Sequence, residues 1–485
     1  MAGFPTEIRF LIGIKKSFKP VPIKQPMKNK FVLFFTFVIL FIFVFNLEGC
    51  ASLQKFYLAA PSQLSHATRE MKTAGFWIAR HPFPDRLILS PEEILAFNAR
   101  VQNDLKLTKD LKQFPPRYSS SELKKTLEEA WGNFFKKGFY LENGSKDAGK
   151  FFDQMRHQMD WENLPEQTDV QFGFIVHYAD QRLLPTDEGL HEKKGDVDFD
   201  ELQNSALDVG TPVVILHENL DKNWFYVESE LSSGWVVKEK IAVCSLNEFQ
   251  NYLQSFEAIF MTAIKPKVDI YLNKELTQHY EFVRMGVRFP VKKLDERIVE
   301  ISFPVREDNG TIVFKRGFIE RENIQVGCLP FTPHNILEQA FELLDKPYGW
   351  GDMHGEQDCS RFLQEVFATV GIYLPRNSSA QAKVGQLLAE FTKDTSSEEK
   401  IKILKKQAIG GVTILPMKGH IMLYLGMVED RPYVIQAVWG YREKSLGKDR
   451  IRVINRVAVS DLSLGDGSKK GSLLKRLSRV INISK

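Results

Sequence analysis

Cysteine is scarce. Four residues in 485 (Cys50, Cys244, Cys328 and Cys359) exclude a fold built on disulfides. Cys244 and Cys328 are compatible with a pair in an oxidising compartment or with ordinary buried thiols. No Cys-x-x-Cys, His-Glu-x-x-His or clustered His/Asp pattern occurs, and no Gly-rich loop ends in Lys-Ser/Thr. No metal site and no cofactor are therefore expected. Excess charge is missing too. The net is +4, but residues 1–49 hold seven basic residues against two acidic ones. From residue 50 onward 58 basic residues face 59 acidic ones, so no nucleic-acid partner is expected. Hydrophobic residues at 43% and charged residues at 26% exclude a disordered or polytopic membrane chain.

One long apolar run is present, Phe31–Phe45, preceded by basic residues and followed by Cys50. Fifteen residues fall short of the roughly 20 that cross a bilayer, and the pattern is that of a secretory signal. Met27 opens a more usual signal start than Met1. Leu47-Glu48-Gly49-Cys50 resembles a bacterial lipobox, with Glu48 a departure from it. The expectation is a signal peptide over 1–49, lipidation at Cys50, and a chain held in the cell envelope. Ala51 then favours the periplasmic face of the outer membrane. An uncleaved N-terminal anchor is the alternative.

The rest divides by composition. Residues 51–165 read as a helical N-terminal domain. Ser90 and Glu93 form a capping box with Pro91 between them, and a second helix starts near Ser121. Gly75–Asp85, aromatic and Pro-rich, reads as a wrapping segment. Residues 166–245 are short β runs; Ala179–Thr186, Trp224 and Gly234-Trp235-Val236 resemble a bacterial SH3-like barrel. Residues 246–328 read as a second barrel, with a hairpin turn at Arg306–Thr311. Residues 329–485 alternate helix then strand, an α+β domain. Leu473, Leu474, Leu477 and Ile481 predict a terminal helix, docked on that domain or lying on an anionic surface.

Chemistry concentrates in one place. Asp358 is placed to cap a helix whose first turn holds Cys359, where unpaired N–H groups favour an anion such as a thiolate. The residue types fit a nucleophile and equally a structural cysteine. His420 opens the strand His420–Gly426, and Gln436 is the lone polar residue in Val434–Val438. A buried Gln must find a partner or cost about 1–3 kcal/mol. Its carbonyl suits the ring N–H of His420, which would aim the other nitrogen at Cys359. A backbone partner for Gln436, and His354 as the base, stay open.

Lys346–Gly351, Asp358-Cys359-Ser360, Leu374–Gln381, Gly419–Gly426 and Val434–Ala437, in that order, resemble the NlpC/p60 family of papain-like cell-wall cysteine peptidases. The resemblance implies a papain-like C-terminal catalytic domain that cleaves peptidoglycan stem peptides after γ-D-glutamate. The substrates would be fragments with N-terminal L-Ala. It casts Cys359 as nucleophile, His420 as base and Gln436 as the orienting residue. Tyr348, Asp358, Ser360, Arg376 and Ser378 would line the substrate site. The first barrel would wall off one end of the cleft, and a monomer is expected. Three positions depart from the family: Arg361 replaces a Gly, Gln436 a His, and Asn377 an Asp. A non-catalytic wall-binding lipoprotein and an N-acetylmuramoyl-L-alanine amidase are the alternatives.

Overall fold

The computed structural model describes residues 57–134, 138–146, 148–445 and 447–484. The expected signal segment and Cys50 lie outside the described residues. Cys244 and Cys328 are both free thiols.

The helical segment behaves as two straps. Its helices form where expected: Pro91–Ala99 starts at Ser90 with the complete capping box, and Ser120–Phe134 buries Leu123 and Leu127. Yet the apolar residues up to Val101 pack into the C-terminal core. Trp77, Ile94 and Phe97 join Phe331, Leu337 and Phe367 there. Those from Leu111 onward pack into the first barrel, where Leu123, Trp131 and Trp161 meet Phe174 and Trp235. The first stripe is buried in the C-terminal core and the second against the first barrel, so the straps tie these parts together.

The first barrel is a seven-stranded sheet. Its spatial order is Ile241–Cys244, Gln171–Ile175, Pro212–Glu218, Trp224–Glu228, Ser233–Val237, Ala179–Arg182 and Gln203–Leu207. Gly234 is required where it stands, because a Cβ there would lie 2.6 Å from the carbonyl oxygen of Arg182. Seven more strands between Phe260 and Val326 make the second sheet. Its longest hairpin pairs Ile298–Arg306 with Ile312–Glu320 across the Arg306–Thr311 turn. Gly317 occupies the corresponding close approach, 2.9 Å from the Phe303 ring for an added Cβ.

The C-terminal sheet runs Leu58–Ala59, Lys448–Asp461, Arg431–Ser445, His420–Val428, Thr413–Met417, Arg479–Asn482 and Gln386–Glu390. Helices Pro333–Glu342 and Cys359–Ala368 cover one face. There Phe362, Val366 and Phe367 meet Ile421, Leu423, Ile435 and Ala437. The tail departs from expectation. Only Leu473–Arg476 is helical, and Arg479–Asn482 is a strand between Thr413–Met417 and Gln386–Glu390. Val480 and Ile481 suit a strand, and two open edges offer it backbone partners on both sides. The buried Lys400 ammonium donates to the carbonyls of Leu474, Lys475 and Leu477, which closes the short helix.

Candidate active site

Asp358 builds the helix side of the site. Its Oδ1 accepts from the backbone N–H of Ser360 (3.0 Å) and of Arg361 (2.8 Å) and from the Ser360 hydroxyl (2.8 Å). The helix therefore begins at Cys359, which is 8% exposed. The Ile421 backbone N–H reaches its thiol, so the helix start meets the strand that His420 opens. The expected stable thiolate is not what this setting produces. Burial, then the Asp358 charge, push the thiol up to about 12, and the nearby N–H groups only partly offset them. This setting favours the thiol over the thiolate.

The strand side is neutral. Ring Nε2 of His420 lies 2.6 Å from Gln436 Oε1, and Gln436 Nε2 donates to Ser460 Oγ at 2.8 Å. An amide oxygen only accepts, so Nε2 carries the ring proton and Nδ1 the basic lone pair. Burial pushes His420 down to about 4, although the Gln436 hydrogen bond favours the charged ring. Ser460 is a site residue that sequence reasoning missed. Its signal was weaker than that of Gln436, because Asp461 follows it directly after the apolar run Val457-Ala458-Val459. His354 is exposed in the turn after Trp350, and its ring makes no hydrogen bond among the described residues. Tyr348 is half-buried. Burial, then the nearby Asp358 charge, hold its phenol protonated, a hydroxyl donor beside the thiol.

Asp358, Ser360 and Arg376 are brought together and bind one another. Arg376 Nη2 donates to Asp358 Oδ2 (3.0 Å) and Asp352 Oδ1 (2.9 Å), and its other nitrogens reach the hydroxyls of Ser360 and Ser205. Ser378 opens a short helix capped by Asn377, whose side chain accepts from the Ala380 N–H at 2.9 Å. An Asp at 377 would cap equally well, so the cap does not require the Asn.

Arg361 joins a buried ionic network. It donates to Asp208 of the first barrel (2.7 Å) and to Glu365 one turn along its own helix (3.1 Å). Arg284 of the second barrel grips both oxygens of Asp208. Burial works against the Asp208 charge, but the two guanidiniums hold its carboxyl below the usual range. Glu365 is pushed up to about 7 by burial, with Arg361 and Arg284 opposing. Both barrels thus grip the Cys359 helix. The first barrel also pins the adjoining turn. Gln203 Nε2 donates to the Gly351 carbonyl, and a Cβ on Gly351, at φ +58°, would lie 2.7 Å from the Gln203 carbonyl oxygen. Beyond this turn Phe199 packs edge-on against Trp350 and Trp439, and Trp439 donates to Asp198.

Comparison with known proteins agrees with this layout. Residues 345–437 match the NlpC/P60 family, and residues 189–237 match an SH3 domain of the SH3b1 type. A gamma-D-glutamyl-L-lysine dipeptidyl-peptidase from Bacillus subtilis is 29% identical over 121 residues, covering 23% of this chain and 41% of that protein. The chain thus spans about two fifths of that relative's length. The solved structure of an NlpC/P60 endopeptidase from Photobacterium damselae subsp. piscicida superposes with a TM-score of 0.69. It does so at 21% identity, over 88% of this chain and 97% of that one, which is a likeness of fold. The tail from Lys469 lies beyond the matched family segment. Residues 345–437 thus carry an NlpC/P60 domain, set behind an SH3-like barrel.

Proposed function

We propose that the chain is a cysteine endopeptidase acting on peptidoglycan stem peptides, cutting the bond from γ-D-glutamate to the following diamino acid. The observation that carries this reading is the meeting of the Cys359 thiol with the strand start whose His420 is fixed by Gln436 at 2.6 Å. The curated relative's name specifies a γ-D-glutamyl bond and supports the same choice.

With the thiol near 12 and the imidazole near 4, a resting ion pair is disfavoured. Attack and proton transfer are then coupled. The sulfur attacks the γ-glutamyl carbonyl as His420 Nδ1 takes its proton. The backbone N–H at the helix start and the Tyr348 hydroxyl are the donors available to the oxyanion. His420 returns the proton to the leaving amine, and water, deprotonated by the same nitrogen, hydrolyses the thioester. Gln436 and Ser460 hold the ring without adding charge to it. Export through the 1–49 segment and lipidation at Cys50 belong to the same proposal and rest on the sequence.

The test incubates wild type and Cys359→Ala with L-Ala-γ-D-Glu-diaminopimelate and with its N-acetylmuramoyl form, and reads products by mass. Wild type alone is expected to release L-Ala-γ-D-Glu. Release of L-Ala-containing peptide from the muramoyl form, with the γ-glutamyl bond intact, would make the protein an amidase instead. No cleavage by folded, reduced protein would favour a binding role.

A further inference from the structure

Three arginines packed near the site, Arg284, Arg361 and Arg376, each have carboxylate partners. Arg476 does not. It ends the short tail helix, is half-buried, and its guanidinium meets no acceptor among the described residues. Burial alone acts on its own charge, lowering its pKa from the usual value.

Its place in the fold is set by a ladder. Leu477 pairs with Met417, and Met417 pairs with His420 across the tight turn. Neighbouring strands lie about 4.8 Å apart, so the tail at 476–477 sits two strands, roughly 10 Å, from the His420 backbone. An extended arginine side chain covers much of that gap. Its charge is felt at the ring: Arg476 disfavours protonation of His420, and Asp358 favours it.

We propose that Arg476 is the receptor for a carboxylate of the diamino acid that leaves when the γ-glutamyl bond is cut. This rests on the peptidase reading above. The acyl half of the substrate is held by the Cys359 helix, and the leaving amine takes its proton from His420. A cation that approaches His420 from the tail therefore faces the leaving half. That half is joined through its α-amine, so its α-carboxylate is one carbon away from the leaving nitrogen. Diaminopimelate carries a second carboxylate at the far end of its side chain. A planar guanidinium donates two parallel hydrogen bonds to either. Occupation also cancels the field of Arg476 at His420, so the base strengthens when the correct substrate is present.

The test uses the full chain, as wild type, Arg476→Gln and Arg476→Lys. The substrates are L-Ala-γ-D-Glu-L-Lys, its C-terminal amide, and L-Ala-γ-D-Glu-diaminopimelate amidated at the α-carboxyl. Wild type is expected to show a KM about tenfold higher for the lysine amide than for the free acid, the worth of one charged hydrogen-bonded contact. Arg476→Gln should treat the two alike, and Arg476→Lys should restore part of the preference. The amidated diaminopimelate peptide tells the sources apart. Cleavage like the acid assigns the side-chain carboxylate, and cleavage like the amide assigns the α-carboxylate. Loss of the cation should also move the acid limb of kcat/KM to higher pH, because His420 then protonates more readily. A merely structural arginine would not move that limb. An Arg476→Gln protein that still prefers the acid, or whose acid limb stays put, overturns the assignment and leaves the peptidase reading standing. A wild type that cuts none of the peptides overturns both.

Discussion

The two halves of the site are held by opposite means. On the helix side, Asp358, Arg376, Asp352, Arg284, Asp208, Arg361 and Glu365 form a buried ionic network drawn from both barrels and the C-terminal domain. On the strand side, His420, Gln436 and Ser460 form a chain of neutral hydrogen bonds inside one sheet. Buried ions are a strong but costly means of fixing position, since removing one partner leaves a bare charge in a poorly polarisable interior. Neutral bonds fix orientation without shifting the proton affinity of the ring by a full charge. In the proposed mechanism, position thus falls to the half that carries Cys359, and proton transfer to the half that must stay titratable.

Breaking the ionic half should have the largest effect on stability. Arg284→Met leaves Asp208 with Arg361 alone and is expected to destabilise the protein by roughly 3–5 kcal/mol, read from denaturant midpoints. Unchanged stability would mean that the second barrel does not brace the helix.

Breaking the neutral half should leave stability less affected and cost turnover. Gln436→Leu frees the His420 N–H and is expected to lower kcat about 10- to 100-fold with little change in KM. Gln436→His should recover most of it, because an imidazole nitrogen also accepts. Equal losses in the two variants would remove the orienting role.

A pH profile sharpens the comparison further. The base must be neutral to accept the thiol proton, so activity falls as pH drops through the folded-state pKa of His420, about 4. The acid limb of kcat/KM is expected there rather than near 6.5, the ordinary value for histidine. The Gln436 hydrogen bond raises that pKa, so Gln436→Leu should move the limb lower still. A limb near 6.5 would place His420 in open solvent.

The smallest effect is expected at Asn377. Asn377→Asp keeps the helix cap and adds a negative charge at an exposed position. Thermal stability should change by less than about 0.5 kcal/mol, and KM for peptides with a free amino terminus should fall a few-fold. No change in KM would separate position 377 from substrate binding.

What the sequence made legible follows from how local each feature is. The Asp358 cap, the Ser90 capping box and the polar Gln436 in an apolar strand are written within a few residues, and each forms as read. The network is not local. Arg361 meets Asp208 across 153 positions, and nothing near either residue announces the other. The thiol shows the limit of a local argument. A helix start does favour a thiolate, but the packing of Cys359 beneath Ile421 is a tertiary fact, and its burial outweighs the field of one helix end. The tail shows the same limit in backbone form. Leucines at helical spacing were outvoted by two sheet edges that needed a strand.

The most direct test of the central claim labels the nucleophile through the substrate site. L-Ala-γ-D-Glu carrying a diazomethyl ketone in place of the scissile amide is mixed with the full chain, and the modified residue is mapped by peptide mass. The account predicts modification at Cys359 alone, slowed by excess L-Ala-γ-D-Glu-diaminopimelate and slowed strongly in His420→Ala. Label on Cys244 or Cys328, or a Cys359 that stays unmodified, would contradict it.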